Sequence, residues 1–185
     1  MKVYRSPQKV LAEVERVLAS SRPAFRKSPL DEVVKVLYEG RHYFWIGIYL
    51  VAGRKVERQA FRGPVPPCHS FEFGKGNVGT TGQTGILKVI PDVADDPTYS
   101  MCFIETKSEI VVPIKISTRI LGGIDVESDR KNAFSPAERI LLKKIAMVLA
   151  RFLSVRGRYL VRRAADKSAS KQATAKAAAG DGHPR

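Results

Sequence analysis

Apolar positions along the chain recur first every three to four residues, then every second residue, then every three to four again. Helical spacing runs through "VLAEVERVL" from Val10, "LDEVVKVLYEG" from Leu30 and "AERILLKKIAMVLARFL" from Ala137. Each segment follows a Ser-Pro pair, at Ser6, Ser28 and Ser135. The serine oxygen accepts from the free amides of a first helical turn, where proline's missing N–H is not needed. Asp31 and Glu138, three residues after their serines, read as the acids of capping boxes. Between the second and third helices lie short runs of branched and aromatic residues: "YFWIGIYLV", "KVERQAF", "CHSFEF", "LKVI", "EIVVPIKI" and "RILGGIDV". Gly, Pro or Asn separates them, as strands require. "GKGNVGTTGQTG" reads as a glycine-opened helical turn. The order predicts an α+β domain, an antiparallel sheet of about six strands with flanking helices.

The last two strands decide where three acids point. If Ser117 to Arg119 form the hairpin loop, Ile116 opposes Ile120, Glu109 faces Glu127 and Val111 faces Asp125. All three carboxyls then share one sheet face. A two-residue loop would send Glu109 to the opposite face. Pro113 cannot donate to the ladder and marks an edge or a bulge that resets the count. Trp45 and Tyr49, four apart in a strand, also share a face; they serve either as core or as the aromatic wall of a pocket.

Composition narrows the class. The chain has 185 residues, 44% of them apolar, enough for one domain with a full core. No apolar run reaches the roughly 18–20 residues of a membrane span. The N-terminus has no uninterrupted apolar segment of the signal-peptide kind, so the expected location is cytoplasmic. The two cysteines then read as free or catalytic thiols rather than a structural bridge. The net charge of +14 is unevenly placed: residues 155–185 carry eight Lys and Arg against Asp166 and Asp181. From Ala164 the chain is Ala/Lys/Ser-rich without large apolar residues, a solvated tail or a weak, sequence-blind nucleic-acid contact. The expected division is 1–42 for N-terminal helices, 43–154 for the core with its closing helix, and 155–185 for the basic extension.

Other motifs carry less. "GKGNVG" fits neither the Walker spacing nor the dinucleotide fingerprint. His42, His69 and His183 show no ligand spacing, and no second Cys/His pair accompanies Cys68-His69, so no metal is expected. What stands out is Cys102, seven residues ahead of Glu109, with Asp125 and Glu127 on the next strand. A thiol and three carboxyls around two adjacent strands form a candidate site.

These residues carry a resemblance. "WIGIYL", "GNVGTTGQTG", "VIPDVADDPTY", "SEIVVPI" and "LGGIDVESDRKNAFS" together resemble a GAF domain over about 110 residues. The pattern is most similar to free methionine-(R)-sulfoxide reductases, with Cys68 ahead of the glycine turn, Cys102 before Glu109, and Asp125 and Glu127 in the paired-acid position. The resemblance implies a ligand cavity on one sheet face, with Trp45 and Tyr49 cupping the substrate's methyl end. It implies Cys102 as nucleophile, Cys68 as resolving thiol and Glu109 as catalytic acid. Asp125 and Glu127 would bind substrate. No bound cofactor is implied, only an external dithiol such as thioredoxin. Two positions depart from the family: Val78 stands where many members have a third cysteine, and Glu127 replaces an aspartate. Lys107 is, by proximity in the chain, the candidate cation for the Cys102 thiolate. A stand-alone sensory GAF module shares the acids but not the thiol chemistry. The implied partners are thus free methionine sulfoxide or another small ligand, the dithiol, and for either reading a second copy of the chain as a homodimer.

Overall fold

The computed structural model describes residues 3–20 and 28–155; the basic stretch from 156 onward, with the nucleic-acid contact assigned to it, lies outside the described residues. Helices α1 (Pro7–Ser20) and α2 (Pro29–Gly40) precede strands β1 (Trp45–Ala52), β2 (Lys55–Arg62) and β3 (Ser70–Glu72). Helix α3 (Gly76–Thr84) follows, then β4 (Lys88–Ile90), β5 (Ser108–Ile116), β6 (Arg119–Ser128) and helix α4 (136–155). All strand pairings are antiparallel, and the six-stranded sheet runs β3-β2-β1-β6-β5-β4.

The Ser-Pro starts are caps. Ser28 Oγ accepts from Leu30 N at 3.3 Å and Ser135 Oγ from Glu138 N at 3.3 Å. The capping-box expectation is corrected at Glu138. Its carboxylate is drawn inward to the Arg41 guanidinium, with Arg41 Nε at 2.9 Å, and to the Tyr43 hydroxyl. A buried arginine needs a full counter-charge, and that demand outweighs a cap worth about 1 kcal/mol.

Central strands β1 and β6 are buried on both faces, which explains their nearly unbroken apolar runs. Ile46, Ile48, Ile124 and Val126 lie on one face of these strands and are buried, as are Leu142, Ile145 and Leu149 of α4. Each such side chain contributes roughly 1.5–3 kcal/mol on burial. The other face carries Trp45, Tyr49, Phe71, Val78, Phe103 and Val111 in one apolar cluster.

The β5–β6 hairpin reaches the expected register by an unexpected route. Its loop is the two residues Ser117 and Thr118, with Ile116 opposite Arg119 and Lys115 opposite Ile120. That loop alone would put Glu109 on the wrong face. Between Ile114 and Lys115 the register shifts, because Ile114 pairs with Gly122 and Leu121 is left over as a bulge. The bulge restores the count: Glu109 pairs Glu127, and Val111 pairs Asp125. It does not fall at Pro113, which lies past the end of β4, whose pairing stops at Val111.

Candidate active site

Register brings the sequence-predicted residues together. Trp45 on β1 sits opposite Glu127, Gly47 opposite Asp125, and Tyr49 opposite Gly123. Directly opposed residues share a face, so Trp45, Tyr49, Asp125, Glu127 and Glu109 form one patch three strands wide. Gly47 is part of this arrangement. A Cβ there would fall 2.2 Å from Trp45 Cη2, so the indole lies flat across the bare backbone. Phe61 stacks on Trp45 at 6.2 Å between centroids, Phe103 lies at 5.9 Å and Tyr49 at 6.4 Å.

The cysteines border this aromatic wall. Cys68, on the loop before β3, and Cys102, on the loop before β5, both pack against the cluster and are joined as a disulfide with Cα atoms 5.9 Å apart. Thirty-four residues of sequence separate them. Val78, at the position of a third family cysteine, is a buried member of the same cluster. Lys107 does not reach in: it is exposed, and its backbone N–H donates to Ser128 O at 2.7 Å. The cation beside the disulfide is Arg58, which donates to Cys68 O at 2.6 Å while lying 4.7 Å over the Phe61 ring. A loop lysine is better solvated outside, whereas a guanidinium covers an aromatic face at little desolvation cost.

The carboxyls are 4% (Glu109), 2% (Asp125) and 3% (Glu127) exposed. Burial pushes Glu109 up to about 8, with the Glu127 charge adding to it and the Asn77 amide opposing it. Glu127 is pushed up to about 7 by burial, against hydrogen bonding from Thr106. Asp125 is raised well above its usual range by burial and by Glu109 and Glu127. The set therefore holds at least one proton near neutrality. Glu109 Oε2 accepts from Asn77 Nδ2 at 2.6 Å, and Glu127 accepts from the Thr106 hydroxyl. Asp125 Oδ1 is buried without a hydrogen-bond partner, as are Trp45 Nε1 and the Tyr99 hydroxyl. Burial and the nearby Glu127 both raise the Tyr99 phenol.

Sequence reasoning passed over Asn77, Thr106, Asp96 and Tyr99. Asn77 was hidden in a glycine run that reads as turn chemistry, and the others lie in loops whose path no periodicity reveals. Two cavities of about 220 and 470 Å³ open beside His42, Tyr43 and Arg130; neither is lined by the cysteines or the three acids. Among the described residues no cluster of His, Cys, Asp and Glu would hold a metal, and no helix is long and apolar enough to cross a membrane.

A six-stranded antiparallel sheet flanked by helices, with polar groups converging on one face, defines an α+β class. The chain belongs to the GAF domain family, which matches residues 8–153. It is 31% identical over 143 residues to GAF domain-containing protein A of Dictyostelium discoideum, covering 77% of this chain and 89% of that one. It is 34% identical over 109 residues to the free methionine-R-sulfoxide reductase of Saccharomyces cerevisiae, covering 57% of this chain and 60% of the yeast protein. Among solved structures it matches a free methionine-R-sulfoxide reductase from Neisseria meningitidis in complex with its substrate. That match has a TM-score of 0.76 and 26% identity, over 86% of this chain and 99% of the other.

Proposed function

We propose that the protein reduces free L-methionine-(R)-sulfoxide to methionine, with Cys102 as nucleophile and Cys68 as resolving thiol. The observation that carries this reading is the Cys68–Cys102 pair, 5.9 Å between Cα atoms, packed on the cluster that floors the three buried acids. The similarity to named reductases of yeast and Neisseria supports it.

The chemistry follows from the groups. In the reduced protein the Cys102 thiolate attacks the sulfoxide sulfur. The S–O bond breaks, oxygen passes to Cys102 as a sulfenic acid, and methionine leaves as the thioether. One protonated carboxyl supplies the proton that makes the oxygen reactive, and the ionised ones balance the α-ammonium of a free amino acid. Cys68 then condenses with the sulfenic acid, expelling water and forming the disulfide. An external dithiol of the thioredoxin kind reopens it by exchange, becoming oxidised itself. Trp45 and Tyr49 offer a wall for the methyl end of the substrate. Arg58, beside Cys68, is a cation that favours thiolate over thiol as the disulfide opens.

The test is incubation of the protein with free and N-acetylated methionine sulfoxide and dithiothreitol, with methionine measured by chromatography. Free (R)-sulfoxide should be consumed and the acetylated form should not, because it has no ammonium for the acids to hold. Cys102→Ser should abolish turnover. Cys68→Ser should complete one turnover but fail to cycle with thioredoxin. Full activity of Cys102→Ser would end the reading and leave a ligand-binding GAF domain without thiol chemistry.

A further inference from the structure

Asn77, the second residue of α3, is 2% exposed, yet both N–H bonds of its side-chain amide are used. Nδ2 donates to Glu109 Oε2 at 2.6 Å and to Asp96 Oδ2 at 2.8 Å, while Oδ1 lies 3.3 Å from Thr98 Oγ1, whose one proton goes to the nearer Asp96 Oδ1. The amide orientation is fixed by chemistry, since only the NH₂ end tolerates two carboxylates. Asp96 in turn accepts from Thr98 N at 2.9 Å and Thr98 Oγ1 at 2.7 Å, shaping the loop that runs into Cys102. One neutral residue on α3 thus joins the floor of the site to the loop bearing its thiol.

The three acids differ in the donors they meet. Glu109 faces an amide N–H, which cannot accept and so favours a carboxylate over a carboxylic acid. Glu127 faces a hydroxyl, which donates or accepts and suits either form. Asp125 Oδ1 has no amide or hydroxyl donor, and Asp125 instead shares a hydrogen bond with Glu109 that favours its own protonated form. We propose that Asn77 is a positioning residue that favours the ionised form of Glu109 once the substrate's α-ammonium is bound beside it, and ties the Cys102 loop to it. In that complex the transferable proton is left to Asp125 and Glu127. The inference rests on the reductase reading above and assigns the acids within it.

Of the groups facing Glu109, the Glu127 charge from β6 and the Asp96 charge from the 91–107 loop act against this arrangement, whereas the hydrogen bond with Asp125 supports it. Tyr99 and Tyr49 feel the Glu109 charge in turn, which raises both phenols. Partial burial works to raise Asp96, but the Thr98 and Asn77 bonds and the Lys88 charge hold it below its usual range. A negative charge therefore stands on the far side of Asn77 and works to raise Glu109.

These opposed effects give a test that packing alone would not pass. The rate constant for the first turnover of pre-reduced protein with free methionine-(R)-sulfoxide would be measured from pH 6 to 9. Dividing each variant by wild type cancels the shared thiol titration. Asn77→Leu removes the donor, so this rate constant, taken at subsaturating sulfoxide, should fall tenfold or more at pH 7 and recover toward pH 9. Asp96→Asn removes the opposing charge, so its acid limb should move to lower pH. Asn77→Ser, which keeps a donor, should fall between Asn77→Leu and wild type and serves if the leucine variant does not fold. Acid limbs that stay put, or move in the same direction for Asn77 and Asp96 variants, overturn the inference while the reductase reading stands. Wild-type protein that never reduces the free sulfoxide removes both.

Discussion

Three carboxyls in one dry patch make the apoprotein's stability depend on pH in a direction set by their burial. Glu109 and Glu127, raised to about 8 and 7 from an ordinary 4.5, bind protons more tightly folded than unfolded. Stability from this source is fully present below about pH 4.5 and is lost as pH rises through 7 and 8. The substrate-free thermal midpoint should therefore fall between pH 5 and pH 8.5. In Glu109→Gln, which has no charge to bury, it should fall several degrees less, since 1 kcal/mol moves a protein of this size about 2–4 °C. Scanning calorimetry of both proteins at the two pH values reads the difference. Parallel behaviour would mean that Glu109 is not the buried titrating group described above. Trp45 and Tyr49 were legible as a same-face pair because strand periodicity is strict. The role of Glu138 was not legible, because its partner Arg41 lies 97 residues away.

At the scale of elements, the site depends on how closely β1 and β6 approach at the Leu121 bulge. A Cβ on Gly122 would sit 1.9 Å from Tyr49 O and 3.0 Å from Leu50 Cα, contacts with backbone that cannot swing away. On Gly123 it would meet Val112 O at 3.5 Å, an ordinary contact. Gly122→Ala should thus lose about 1–3 kcal/mol, the usual cost of overpacking. Gly123→Ala should match or slightly exceed wild type, because glycine weakens strand interiors by roughly 0.5–1 kcal/mol. Denaturant titration checks the pair, and equal losses would place the tight approach elsewhere. The adjacent glycines are indistinguishable in sequence; only the bulge separates their environments.

For the whole molecule, the candidate chemistry lies within residues 45–128, far along the chain from the basic stretch. Catalysis by the thiol pair and acids requires nothing from residues after 163, while action through a basic tail requires them. A chain ending at Arg163 should keep turnover of free methionine sulfoxide within about twofold of the full chain. Loss of all turnover on truncation would show that the tail is part of the enzyme. The same comparison at rising salt would separate a phosphate-binding tail, whose contacts weaken steeply with salt.

The sequence by itself determined the element order, the α+β class, the capped helix starts and the candidacy of Cys102, Glu109, Asp125 and Glu127, whereas Cys68 entered only through the family resemblance. Those features rest on local period, local turn chemistry and residue type, all of which are written along the chain. Only the tertiary structure decided which face the acids share. Loop length and bulge each shift register by one residue, and their effects cancel at Leu121 only when both strands are paired. It likewise decided that Arg58 rather than Lys107 stands beside the cysteines, and that Asn77 joins Glu109 to the Cys102 loop. Burial of a charge or an amide is a property of everything packed around it, so no single segment of sequence records it.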